Sequence, residues 1–263
     1  NILFIYPPDY YKKVGKDGFE KHPVGTGPYQ FVSRSDASEV CFEANPHYFG
    51  GGPKGKPAIP HLKAIILPEE LLQIEAMVSG RTDLLRATNF YQEQIPFIKK
   101  NPNLEVASVP ILRTCFLTMD ATGRSGVSFF KDKRVRMAVY YAIDKDRIIQ
   151  RGFNGYAEKS RSVASPLHFG YEPDVRQYPY DPDKSRALLK EAGYPDGFMV
   201  DFFAATNESA VEAVVQDLAA AGIKVRLHWM GGQWPRFYEE FLQGKLSLTF
   251  LTWGSYSIFD ASA

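Results

Sequence analysis

The stretch from Phe198 to Leu227 constrains the fold more than any other part of the chain. Phe198 to Ala204 reads as a strand, Glu208 to Ala221 as a helix capped by Asn207 and ended by Gly222, and Ile223 to Leu227 as a second strand. A strand, a helix and a strand in that order make a right-handed crossover, so the two strands run parallel and the helix covers one sheet face. Trp234 to Leu242 adds a helix, with Phe237, Phe241 and Leu242 on its inner side, and Leu246 to Leu251 adds a third, nearly all-apolar strand. The expectation is an α/β domain with a buried parallel sheet. Open sheets of this kind bind ligands beyond the carboxyl ends of their strands. Trp253 follows the third strand and is a candidate ligand contact on that ground.

The helices that precede this unit carry start and stop signals. Asp132 can cap a helix through Val135, Ala138 and Ala142, and Asp144 a second through Ile148 and Ile149. Asp181-Pro182 places an N-cap before a proline at the first helical position, and Gly193 ends that helix. Residues 1 to about 117 read differently, as short strands and long loops: Val24 to Val32, Val40 to Ala44, Leu62 to Leu67 and Leu104 to Pro110 are β-favouring runs bounded by Pro, Gly and Asn. The clear helix there spans about Glu69 to Ser79, with Gly80 placed for a left-handed C-cap. The division expected is a β-rich part, 1–117, and an α/β part, 118–263.

Charge narrows the partners. With 31 Lys and Arg against 30 Asp and Glu, the net charge of +1 offers no field to gather phosphates, so nucleic acid is not an expected partner. The longest apolar stretch, Met137 to Ile143, is far short of the ~20 residues that span a bilayer. Two cysteines, Cys41 and Cys115, cannot build a four-thiolate zinc site; one bridge is conceivable if their strands lie side by side. The first residues, Asn1 to Pro8, have no initiator Met, no basic segment and no small-residue cleavage site, and read as a cut end.

Catalytic patterns are missing. There is no Gly-x-Ser-x-Gly elbow, and His22, His47, His61, His168 and His228 are scattered without a His-Glu-x-x-His or Cys-x-x-Cys companion, so neither a metal nor a cofactor is expected. Gly50 to Lys56 has glycines and lysines but lacks the Gly-Lys-Ser/Thr that opens a helix onto phosphate, and reads as a solvated turn. Arg113, in the otherwise uncharged Pro110 to Leu117, is a candidate anion clamp if it faces a cleft and snorkels to solvent if it does not.

Several phrases taken together resemble one family. They are His22-Pro23-Val24-Gly25-Thr26-Gly27-Pro28-Tyr29, Asn45-Pro46-His47-Tyr48-Phe49-Gly50 and Ser79-Gly80-Arg81-Thr82-Asp83. To these add Phe130 to Ala138, Tyr141-Ala142-Ile143-Asp144, and Tyr180 to Tyr194. In this order and spacing the set is similar to the extracellular solute-binding proteins of the oligopeptide and dipeptide type, family 5, that feed ABC importers.

The resemblance implies a periplasmic binding protein type II-like fold. A β-rich part of lobe 1 (1–117) would be followed by part of an α/β lobe 2 (118–263), the chain matching the middle of a protein about twice its length. It implies capture of a peptide or related small polar molecule between two hinged lobes, without chemistry, and delivery to the permease subunits of an importer in the membrane. The location implied is periplasmic or extracellular. Trp234 and Trp253 fall where the family has tryptophans, the second at the mouth of the cleft. Peptide binders of the family carry an aspartate shortly after that tryptophan, paired with the peptide's amino terminus. Here Gly254-Ser255-Tyr256-Ser257 occupies the stretch and Asp260 comes later, so Tyr256 is a candidate contact and Asp260 a candidate counter-charge, since a buried ammonium needs one. Two alternatives remain: an effector-sensing domain of a regulator built on the same lobes, and a hydrolase, which would need a nucleophile and a base within hydrogen-bond reach.

Overall fold

The computed structural model describes residues 6–35, 38–51, 55–85 and 94–254, so Tyr256 and Asp260 lie outside the described residues. The chain separates into two compact units, 1–86 and 87–263, a division that falls earlier in the sequence than the change of pattern near residue 118.

The first unit holds a three-stranded antiparallel sheet in the order β1 (Tyr29–Ser35), β2 (Glu39–Ala44), β3 (His61–Ile65). Its register places Phe31 opposite Phe42, with ring centroids 6.4 Å apart, and Phe42 opposite Leu62. Two helices flank it in sequence, α1 (Pro8–Lys21) and α2 (Glu70–Val78). The expected helix near 69–79 is therefore present, and Gly80 takes the left-handed conformation at φ 74°. α1 is not announced by the sequence. Gly15 and Gly18 lower its helix propensity, and Gly15, at φ 68° and ψ −175°, breaks it at a kink. Two expected strands are corrected. The first begins only at Tyr29, because Val24 to Pro28 carries two glycines and a proline, and Leu104 to Pro110, which follows the short helix α3 (Ile95–Ile98), forms no strand.

The second unit contains a four-stranded sheet in the order β4-β7-β5-β6, made of β4 (Arg113–Met119), β5 (Phe198–Ala204), β6 (Ile223–Trp229) and β7 (Leu248–Gly254). β5 is parallel to both neighbours, which is the crossover topology read from the sequence. The sheet is mixed rather than wholly parallel: β4 runs antiparallel to β7 from Arg113 opposite Gly254 to Met119 opposite Leu248. A β-favouring run marks a strand but not its direction, and direction here is set by where the long connection after β4 returns.

Side chains alternate across this sheet. Val200, Phe202 and Ala204 of β5 and Leu248 and Phe250 of β7 face α4 (Lys133–Ala142), α6 (Pro182–Glu191) and α7 (Glu208–Ala220) in one core with Phe130, Val139, Leu189, Val211 and Leu218. Phe203, Leu251 and Phe116 of β4 face the other way, onto Phe237 and Phe241 of α8 (Trp234–Leu242). The result is a helix, sheet and helix sandwich. Asp132 and Asp181 cap their helices as expected, each side chain accepting from a backbone N–H within the first turn. Asp144 does the same for α5 (Lys145–Phe153). β5 and β6 start so close together that a Cβ on Gly197 would lie 1.8 Å from the Gly222 carbonyl oxygen, so only glycine fits there.

Candidate functional site

The carboxyl ends of β5, β6 and β7 lie along one edge of the second unit's sheet, and the antiparallel β4 brings its first residues to that same edge. Two of the expected site residues reach that edge, from opposite faces of the sheet. Arg113 pairs with Gly254 and Thr114 with Trp253 across the β4–β7 ladder. Trp253 stands on the α8 face, sharing the alternation of Leu251, and is 41% exposed. That is a large apolar ring left half uncovered at the place where an open sheet offers its crevice. Arg113 is exposed, and its charge pulls against the rise in the Cys115 thiol.

Trp234 begins α8 and stacks on the rings of Phe237, at 5.4 Å, and Tyr238, at 6.2 Å. It packs along its own helix while leaving 44% of its surface exposed. Trp229, which with Trp234 flanks Gly231-Gly232, ends β6 and is exposed to a similar degree; a Cβ on Gly231 would meet its Nε1 at 2.5 Å. Among the described residues no ring contact joins Trp253 to either of the other tryptophans.

The sequence reading also missed a polar cluster on the opposite face of the same edge. Asn207 was expected to cap α7. Instead it sits in the left-handed region, at φ 60° and ψ 54°, and its side chain makes no cap hydrogen bond. Its Nδ2 donates to Thr252 Oγ1 at 3.3 Å and to Cys115 Sγ at 3.6 Å. Cys115 Sγ and Thr252 Oγ1 are themselves 3.6 Å apart. Burial pushes the Cys115 thiol above its ordinary value, with the Thr252 contact and Arg113 acting against that rise. The thiol is held protonated, and both Cys41 and Cys115 are free. Asparagine tolerates left-handed backbone better than other non-glycine residues; the Thr-Asn-Glu between strand and helix was the one signal that pointed to this turn.

A serine and a histidine do come within hydrogen-bond reach, which bears on the hydrolase alternative. Ser165 Oγ is 2.9 Å from His168 Nδ1, but that nitrogen also accepts from the Ser165 backbone N–H at 3.0 Å, and both residues are buried. With its Nδ1 lone pair committed to the 165–168 turn and no surface for a substrate to approach, this pair fixes a loop. No group of three metal-ligating side chains occurs among the described residues. A depression of about 250 Å³ between α5 and α7, lined by Arg151, Ser209, Glu212, Ala213 and Gln216, lies on the flank of the helices.

Comparison with known proteins follows the same line. The family model described as bacterial extracellular solute-binding proteins, family 5 Middle, matches residues 1–263. The glutathione-binding protein GsiB of Salmonella choleraesuis is 32% identical over 225 residues, covering 84% of this chain and 42% of that protein. The heme-binding protein A of Haemophilus influenzae is 26% identical, covering 96% of this chain and 46% of that protein. Among solved structures, the periplasmic binding protein DppA of Helicobacter pylori in complex with the peptide STSA superposes with a TM-score of 0.71 at 26% identity, over 96% of this chain and 47% of that one. The chain thus spans less than half the length of these relatives. The chain belongs to the bacterial extracellular solute-binding proteins of family 5.

Proposed function

We propose that this chain serves solute capture for an ABC importer, holding a peptide or a related small polar molecule by non-covalent contact and passing it to a membrane permease. The observation that carries the reading is the pairing of Thr114 with Trp253 and of Arg113 with Gly254. It sets an exposed indole and an exposed guanidinium at the carboxyl edge of the sheet. An indole face supplies apolar area and a guanidinium a planar fork for a carboxylate. The two stand on opposite faces of the sheet, so a ligand with an apolar body and an acidic end would lie across the carboxyl edge to reach both. The relatives' names span glutathione, heme and the peptide STSA, and the first and third fit that description best. Trp234, Tyr256 and Asp260 belong to the same proposal as further contacts, as does the assignment of 1–117 and 118–263 to two lobes that close on the ligand. A protonated Cys115 and the buried Ser165–His168 turn support binding without chemistry. A permease partner places the protein on the outer side of the cytoplasmic membrane, the location of its family.

Isothermal titration of the intact protein with glutathione, the peptide STSA and heme tests the reading. Saturable one-site binding of glutathione or the peptide is expected. Absence of binding by all three together with measurable turnover of a peptide or ester would overturn it.

A further inference from the structure

Asn207 combines three features at one point of the fold. It is one of the non-glycine residues with positive φ. It is 7% exposed, and its Oδ1 is buried without a hydrogen-bond partner. It also joins β5 to α7 at the carboxyl edge, tied through Nδ2 to Thr252, the neighbour of Trp253. Left-handed backbone at a residue with a side chain carries strain, and an unpaired buried acceptor carries a desolvation penalty. Glycine would remove both at this position, because it enters the left-handed region freely and has no amide oxygen, but it would also delete the Nδ2 hydrogen bonds to Thr252 and Cys115. The turn thus keeps a buried, unpaired acceptor at the carboxyl edge of the sheet.

We infer that Asn207 is a specificity-determining residue of the solute site, its Oδ1 accepting a hydrogen bond from an N–H donor on the bound solute, an amide or an amine. This rests on the solute-binding reading above and deepens it. Nδ2 anchors the amide to Thr252 and Cys115, which fixes the other side of the carboxamide as the acceptor left for a partner. A solute offering only acceptors at that point would gain nothing there, so the residue selects for ligands with a nitrogen donor. Access to Oδ1 requires the residues covering it to part when the solute enters.

The test pairs affinity with thermal stability in the intact protein, using glutathione and the peptide STSA as probes and Asn207→Gly and Asn207→Asp as variants. Asn207→Gly should bind about tenfold more weakly, the effect of one lost hydrogen bond to the solute, whatever its melting temperature shows of the lost Nδ2 bonds to Thr252 and Cys115. Asn207→Asp, which keeps acceptor oxygens, should bind at least as tightly as Asn207→Gly. A lower melting temperature for Asn207→Gly with affinity equal to the parent's would show that the residue serves the fold alone and would overturn the inference. Unchanged affinity in Asn207→Gly would overturn it while leaving solute binding intact. Failure of the parent protein to bind either peptide would instead sink the peptide reading, and this inference with it.

Discussion

Trp253 is held in the sheet by its ladder position opposite Thr114, yet 41% of its surface remains in water. Removing its ring deletes contact area available to a ligand and little of the core. In the intact protein Trp253→Ala should therefore weaken binding of glutathione or the STSA peptide by at least about tenfold, the scale of an aromatic anchor, with a small change in melting temperature. Calorimetric titration beside a thermal melt checks both halves. Asp120 sets up a different kind of test. Its carboxylate accepts from the N–H groups of Thr122, Gly123 and Ser125 and from the hydroxyls of Thr122 and Ser125. Those bonds outweigh desolvation and hold its pKa well below the usual carboxylate range. A depressed folded-state pKa adds stability that is full above the unfolded value, about 3.9, and is lost as pH falls below it. Asp120→Asn should flatten that loss. Denaturant midpoints between about pH 5 and pH 2.5 measure it, and a variant whose acid limb matches the parent's would contradict the assignment.

At the scale of elements, much of the second unit was legible in the sequence. β5 spans Phe198–Ala204 and α8 spans Trp234–Leu242 as read, and Asp132, Asp144 and Asp181 cap where they were expected to. These succeed because each rests on a local signal: a run of apolar residues, an acidic N-cap, a proline at the first helical position. What was not legible depends on distant parts of the chain. The direction of β4 is set by its pairing with β7, and the side chain of Asn207 turned away from its helix because Cys115 and Thr252, far off in sequence, offer partners. Helix contact is likewise fixed at long range. Gly152 of α5 lies so near α7 that a Cβ would come within 2.6 Å of the Ala210 Cα, and Arg147 of α5 pairs with the buried Asp217 of α7. Asp217 also accepts from the Asp144 N–H at 3.0 Å, while burial pushes its carboxyl above the ordinary value. Gly152→Ala should thus destabilise by about 1–3 kcal/mol through overpacking, even though alanine is the better helix former. Equilibrium denaturation measures it, and a gain in stability would show that α5 and α7 part easily.

For the whole molecule, the division of labour is between a core that holds the sheet and an edge that is left incomplete. Phe202 of β5 is fully buried between the sheet and the α4, α6 and α7 layer. Phe202→Ala should lower unfolding free energy by about 3–5 kcal/mol, which chemical denaturation reads directly; a loss below about 1 kcal/mol would mean that the sandwich is not the source of stability described. The edge was only partly visible beforehand. Arg113 and Trp253 stand out in the sequence and lie at the same edge on opposite faces of the sheet, whereas Asn207, Thr252 and Cys115 needed the fold to bring them together. Family membership rests on phrases spread across both units, so it could be read before any of this geometry was known.

The central claim is that the carboxyl edge beside Trp253 receives a solute. Replacing every other tryptophan of the intact protein by phenylalanine, Trp229 and Trp234 included, leaves Trp253 as the sole indole reporter, whose emission can be followed during titration with glutathione and with the STSA peptide. A saturable change in intensity or wavelength, with the midpoint found by calorimetry, is predicted. Calorimetric binding with no change in Trp253 emission would place the solute elsewhere and contradict the account.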